Sequence, residues 1–261
     1  MIRIQGKSHI GKRATNEDRF VADTNWGIAL VADGMGGRAA GEIAASIVAS
    51  HVVDLLDQDT PLTRSVYLAH QEVLSAAEDN RGKKGMGSTI VVAHFIEHQF
   101  ELAWIGDSRA YIWDGELRQI SRDHSQLEAM LSRGEISYSE AASHPKKNVI
   151  TRAMGHGQFT ESDVPLIKGG LYSGQTLILC SDGLYDAVDA SDIARIMAST
   201  ASTAEQLDNL VAAAVANGGA DNITVVLVDS DVMPELNATP PELPTVSIAR
   251  TDGSTQHFLA E

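Results

Sequence analysis

The run IALVADGMGG, residues 28–37, decides how this chain is read. Five apolar residues in succession, Ile28 to Ala32, describe a buried strand, and that strand finishes on a carboxylate, Asp33. Burying an unpaired carboxylate costs several kcal/mol, so Asp33 must meet water, a hydrogen-bond donor or a cation. Glycines at 34, 36 and 37 let the backbone turn sharply and let another group come close to it. Two readings stand at this point: a tight turn whose aspartate bonds its own backbone, or one corner of a ligand site.

The same punctuation recurs along the chain. LAWIGDSR (102–109) delivers Asp107 from an apolar strand, LILCSDG (177–183) delivers Asp182, and GGADNITVVLV (218–228) sets Asp221 just before another. One such aspartate is ordinarily a turn residue; four with the same placement point to convergence. Like charges gathered within a few ångströms must be offset by cations. The donors on offer are oxygens: carboxylates, carbonyls near the glycines, and water. No Cys/His cluster has zinc-like spacing, and Cys180 is the lone cysteine. Oxygen-rich sites that retain water suit Mg²⁺ or Mn²⁺, whereas an EF-hand would need its ligands within one short loop. Aspartates drawn from separate strands suggest a two-metal site that activates a water for in-line attack on phosphorus. GKRATNED (11–18) adds Arg13, whose planar fork can hold two phosphoryl oxygens, and Glu17 and Asp18, placed in sequence to act on metal-bound water. Read alone, that stretch is equally well a charged surface loop.

Composition narrows the classes of function. In 261 residues, 20 Lys+Arg stand against 35 Asp+Glu for a net charge of −15, which repels nucleic acid and anionic lipid. A hydrophobic fraction of 43% suffices for a substantial core. A single cysteine allows no internal disulfide and fits a reducing compartment. The first residues carry no signal-peptide core, and no run approaches the roughly 18 apolar residues of a membrane span, so a cytoplasmic protein without membrane insertion is expected.

Hydrophobic periodicity predicts strands near 2–4, 20–23, 27–32, 88–96, 100–105, 109–113, 176–180 and 222–229. Helices are predicted over 39–56, after Pro61, at 126–132, at 139–143, and near 191–199 and 203–215. Asp-Gly within WDGEL (113–117) signals a hairpin. Hairpins together with paired helices favour an α+β fold, two packed antiparallel sheets with helices outside. Residues 121–163 have few long apolar runs and read as a subdomain laid over the core. From Asp231 onward Pro, Thr, Ser and Glu dominate, and a mobile tail over 231–261 is expected after a single domain over 1–230.

RATNEDRF, VADGMGG, GSTIVVAHF, WIGDSRAYIW, SRDHS, ITRAMG, LCSDGLYD and GADNITVVLV, in this order, resemble the metal-dependent protein phosphatases of type 2C (the PPM family), in their bacterial branch. Any one piece is weak and the ordered set is specific; together they cover roughly residues 7–229. The resemblance implies a β-sandwich flanked by helices on both outer faces (αββα), with a small flap at about 125–160. It also implies hydrolysis of phosphoserine and phosphothreonine in proteins with two to three Mn²⁺ or Mg²⁺ ions, and a partner Ser/Thr protein kinase. Carried over by motif, Asp33 bridges two metals and the Gly34 carbonyl contacts the second. Asp182 and Asp221 complete the first metal's shell, and Asp107 with Asp182 holds a third. Arg13 binds the substrate phosphate, and Glu17 and Asp18 orient metal waters.

One departure stands out. Animal relatives carry a proposed general-acid His where this chain has Met35, and a thioether donates no proton. His124 is a candidate replacement, although a structural role near a helix start describes it better; Met35, Met86 and Met154 read as packing residues. A tyrosine-phosphatase reading of Cys180 fails because the sixth residue on is Asp186, not Arg. A phosphoprotein-binding pseudophosphatase has no need of the full aspartate set. A nucleotide phosphodiesterase reading is disfavoured by the acidic charge of the chain and by the missing base-stacking surface.

Overall fold

A computed structural model describes residues 1–36, 40–137, 140, 144, 149–234, 246–249 and 255–258. In chain order the first elements are β1 (Ile2–His9), β2 (Arg19–Asp23), β3 (Ile28–Ala32), β4 (Gly34–Met35), α1 (Ala40–Asp57) and α2 (Leu62–Glu78). Next come β5 (Gly87–Ser88), β6 (Ile90–Ile96), β7 (Gln99–Ile105), β8 (Arg109–Trp113), β9 (Leu117–Gln119) and α3 (Gln126–Ser132). Then follow β10 (Leu166–Gly170), β11 (Thr176–Cys180), α4 (Asp182–Tyr185), α5 (Ala190–Met197), α6 (Thr203–Ala216) and β12 (Ile223–Ser230). Two short strands, β13 (Val246–Ala249) and β14 (Thr255–Phe258), come last among the described residues.

Strands β1-β12-β11-β8-β9 form one sheet and β14-β13-β10-β7-β6-β3-β2 the other, each in that spatial order. Neighbouring strands are antiparallel throughout. β4 and β5 clip together as a separate pair.

The period-two geometry of a strand sorts the core into three layers. On β3, Ile28, Leu30 and Ala32 face α1 and α2, packing with Val48, Val52 and Val66. Ala29 and Val31 point the other way, between the sheets, with Trp104, Leu179 and Val226. On the far face, Ile178, Val225 and Leu227 lie under α4–α6, against Leu184, Ile193 and Leu210. Both faces of each central strand are therefore covered, which is why these antiparallel strands read as unbroken apolar runs instead of alternating ones. The expected αββα sandwich is the observed architecture.

Several local expectations shift. The strand over 2–4 extends to His9, paired residue for residue with β12. β10 has no sequence signal, because Lys168, Gly169 and Gly170 blur its pattern. Gly169 leaves room for the Phe100 ring on the neighbouring strand, 2.9 Å from where a Cβ would stand. Helix α3 spans 126–132 as predicted, started by Ser125, whose hydroxyl accepts from the Glu128 amide at 3.1 Å. The helix expected at 139–143 falls almost entirely outside the described residues, as does much of the segment after 234. Of that segment, β13 meets β10 at Ser247 opposite Leu166.

Candidate metal centre and active site

The parity that sends Ala29 and Val31 between the sheets carries on to position 33, so Asp33 emerges at one end of the sandwich interior. There a cavity of about 520 Å³ is lined by Arg13, Glu17, Asp33, Gly34, Asp107, Asp182 and Asp221, joined by Met35, Asn222 and Ile150. These carboxylates come from the loop after β1, the ends of β3, β7 and β11, and the start of β12. Of the eight residues expected to hold metal, phosphate or metal-bound water, only Asp18 is not on the wall. It sits in the interior, 3% exposed, with Oδ2 accepting from Ser181 Oγ at 2.8 Å and Thr224 Oγ1 at 2.6 Å.

Local geometry fixes each position. The Asp33 amide donates to Thr89 Oγ1 at 3.0 Å, and its carbonyl accepts from the Thr89 amide at 2.8 Å. Gly34 has no room for a side chain, because a Cβ would stand 2.2 Å from the carbonyl of Gly41 in the first turn of α1. Asp107 follows Gly106, whose φ of 108° only glycine adopts comfortably. Asp182 begins α4. Asp221 Oδ2 accepts from Arg13 Nη2 at 2.5 Å, and Oδ1 accepts from the Asn222 amide at 2.8 Å.

Asn222 was not singled out in sequence, yet it organises one side of the cavity. Its Nδ2 donates to the carbonyls of Ile10 (2.8 Å) and Thr15 (3.0 Å), while Oδ1 accepts from the Glu17 amide at 2.8 Å. It thereby holds the whole Arg13–Glu17 loop against the site. An amide side chain buried at a strand start was the only sequence clue.

Burial dominates the electrostatics. It pushes Asp33 well above the usual carboxylate range, reinforced by the charges of Asp18, Asp182, Asp107 and Asp221. Burial first, then Asp107 and Asp221, raises Asp182 to about 7. Burial and Asp123 raise Asp107 to about 6, and burial raises Asp18 to about 6 against the two hydroxyls it accepts from. Oδ1 of Asp18 and Oδ1 of Asp182 are buried with no hydrogen-bond partner. An all-oxygen donor set carrying surplus negative charge and orphaned carboxylate oxygens fits a hard divalent cation such as Mg²⁺ or Mn²⁺. Among the described residues no three His, Cys, Asp or Glu side chains already sit as a compact ligand group. The reason is visible in the rotamers: Asp221 is turned onto Arg13, and Asp18 onto Ser181 and Thr224. The backbone brings these carboxylates to one cavity, with Asp221 and Asp18 engaged in hydrogen bonds within the protein.

His124 is no proton donor. Burial lowers it to about 4, and Nδ1 accepts from the Gly106 amide at 3.1 Å, so it shapes the turn before Asp107. Burial pushes the Cys180 thiol up to about 12, which suits a packing residue and not a nucleophile. Met86 and Met154 are buried as expected, whereas Met35 is partly exposed on the cavity wall.

A two-sheet sandwich carrying an oxygen-lined acidic cavity at its end, flanked by an arginine, defines a phosphatase-type metal site. The family model for protein phosphatase 2C matches residues 5–217, and the chain belongs to that family. It is 35% identical over 234 residues to the serine/threonine phosphatase stp of Listeria monocytogenes, covering 84% of this chain and 92% of that one. The crystal structure of the Mycobacterium tuberculosis serine/threonine phosphatase PstP/Ppp superposes with a TM-score of 0.78 at 33% identity, covering 88% of this chain and 99% of that one. The catalytic domain of PstP in complex with two manganese ions matches with a TM-score of 0.76 at 32% identity, covering 87% and 97%.

Proposed function

We infer that this chain is a metal-dependent protein serine/threonine phosphatase that hydrolyses phosphoserine and phosphothreonine in protein substrates. The observation that carries the reading is the convergence of Asp33, Asp107, Asp182 and Asp221 with Arg13 on one cavity, in a chain of the protein phosphatase 2C family.

Asp33, Asp182 and Asp221 are the residues that would hold two Mn²⁺ or Mg²⁺ ions, with the Gly34 carbonyl assisting and Asp107 joining Asp182 at a third. Such ions supply a nucleophilic water near neutral pH and polarise the phosphoryl group, so no phosphorylated side chain is needed. Arg13 is placed to receive the phosphate. Its guanidinium lies on Asp221, and both side chains are partly exposed, 58% and 36%, so the fork can turn to two phosphoryl oxygens without unpacking the core. Asn222 keeps that loop in register. Glu17 on the wall and Asp18 behind it orient water at the cavity's inner end. Met35 and Ile150 give the cavity an apolar margin.

Such an enzyme needs a Ser/Thr protein kinase to phosphorylate its substrates. A lone buried thiol suits the cytoplasm, and no described helix is long and apolar enough to cross a membrane. The test is hydrolysis of a phosphothreonine peptide with Mn²⁺ and with EDTA. Turnover that requires the metal supports the assignment. Tight peptide binding without turnover in saturating Mn²⁺ identifies a pseudophosphatase instead.

A further inference from the structure

In a chain of net charge −15, carboxylates take up most of the cations. Lys7 pairs with Asp208, Lys168 with Glu101, Arg64 with Glu161 and Arg81 with Asp79. Among the described lysines and arginines, only Lys12 and Lys84 make no ion pair and no side-chain hydrogen bond. Both are exposed, and both belong to loops at the mouth of the acidic cavity.

Backbone hydrogen bonds fix where these loops stand. Lys12 immediately precedes Arg13, a wall residue, and its amide donates to the Gly219 carbonyl at 2.8 Å. That bond holds Lys12 on the side of the mouth formed by β1 and β12. Lys84 occupies the tip of a turn between α2 and β5, closed by the Met86 amide donating to the Lys83 carbonyl at 3.1 Å. Gly85 follows with φ of 80°, the left-handed conformation that the third residue of such a turn can require. The tip rests on the rim itself: a Cβ on Gly36, another wall residue, would stand 2.9 Å from the Gly85 carbonyl oxygen. Lys84 therefore stands on the side formed by β4 and β5, across the mouth from Lys12.

A phosphoryl group seated in the cavity carries the residues on either side of the phosphorylated one over this rim. A four-carbon stem lets each ammonium swing to meet them. Aspartate or glutamate at those positions supplies the partners that Lys12 and Lys84 lack within the protein. The net charge of −15 would by itself draw in basic peptides. Screening confines that field to about 8 Å at physiological salt, so the charges at the rim decide. We propose that Lys12 and Lys84 are specificity-determining residues that select phosphoproteins with acidic residues flanking the phosphorylated one, Lys12 reading one flank and Lys84 the other. This rests on the cavity hydrolysing phosphoproteins.

The experiment uses the full chain, its Lys12→Gln and Lys84→Gln variants and the double variant, all in saturating Mn²⁺. The substrates are phosphothreonine peptides of one length with acidic, neutral or basic flanks, two more that are acidic on a single side, and p-nitrophenyl phosphate. Each exposed pair should bring about 3-fold, so the parent should favour the acidic peptide over the neutral one by about 10-fold in kcat/KM, carried by KM. Lys84→Gln should erase the preference on one side and Lys12→Gln on the other. The double variant should treat all peptides alike, as should the parent at about 0.5 M salt, where exposed pairs are screened. All four proteins should hydrolyse p-nitrophenyl phosphate at like rates, since that ester has no flanks, and this also shows that the variants fold. Equal kcat/KM for the three peptides in the parent, a preference for basic flanks, or an acidic preference that survives in the double variant overturns the proposal and leaves the phosphatase reading standing. Failure to hydrolyse any peptide overturns the phosphatase reading and takes the proposal with it.

Discussion

Two clusters of buried charge lie side by side in this protein and are solved in opposite ways. Behind the cavity, Arg109 meets Asp123 in a two-pronged ion pair and stacks on Tyr185, so the charge is neutralised within the fold. On the cavity wall, Asp33, Asp107 and Asp182 face one another, and burial pushes all three above the usual carboxylate range. Among the described residues of the wall the one cation, Arg13, pairs with Asp221 at the more exposed edge. The first cluster uses its charge to hold the fold; the second leaves its carboxylates without a neutralising partner in the protein. A region that looks poorly stabilised is thus the one built for binding.

The largest test of that contrast is catalytic. Asp182→Asn or Asp33→Asn should lower turnover of a phosphothreonine peptide by about 10³-fold or more, the scale of losing a central electrostatic group. Circular dichroism should show the fold retained, because removing a like charge relieves repulsion in the metal-free protein. Near-parental rates in either variant break the assignment.

The second test is pH. In EDTA the unfolded carboxylates titrate near 4, whereas folded Asp107 and Asp18 do so at about 6 and Asp182 at about 7. The folded state binds more protons across that window, so its stability is highest below about pH 4 with respect to these groups and is lost as pH rises through 6 and 7. Metal-free protein should therefore melt lower at pH 8 than at pH 5.5, and Mn²⁺ should raise the midpoint more at pH 8. A flat or rising EDTA profile would show that burial and mutual repulsion do not raise these carboxylates as described.

Breaking the neutralised cluster comes third. Arg109→Ala strands Asp123, and urea denaturation should show a loss of about 2–3 kcal/mol, somewhat under the full range for a buried pair because the guanidinium keeps some solvent. Smallest of all is an exposed pair such as Arg64–Glu161, with side chains 53% and 38% exposed. There Arg64→Gln should cost less than about 0.5 kcal/mol, and a larger loss would blur the distinction between exposed and buried charge.

Much of this was legible in the chain. Apolar runs ending on Asp33, Asp107 and Asp182 marked both the strands and the corners of the site, since each corner is a strand end. What escaped reading were residues whose role exists only across the fold. Asn222 has partners more than two hundred positions away, at Ile10, Thr15 and Glu17. Arg109 looked like an ordinary member of the strand predicted over 109–113, and Tyr185 fell in no predicted element. β10 was hidden because Gly169 answers to a phenylalanine on the next strand and not to its own neighbours. Met35 was expected to pack, and only the cavity shows that part of it faces solvent.

By itself, then, the sequence settled which residue types are available, where the chain turns, and that oxygen ligands alone could gather around an ion, because periodicity and side-chain chemistry are local. Only the tertiary structure decided which carboxylates share a cavity, which is shut in behind it, and which arginine is already bound, because distances between remote strand ends are set by sheet packing. Local pattern places a charge on a strand; only the packed sandwich gives that charge its neighbours.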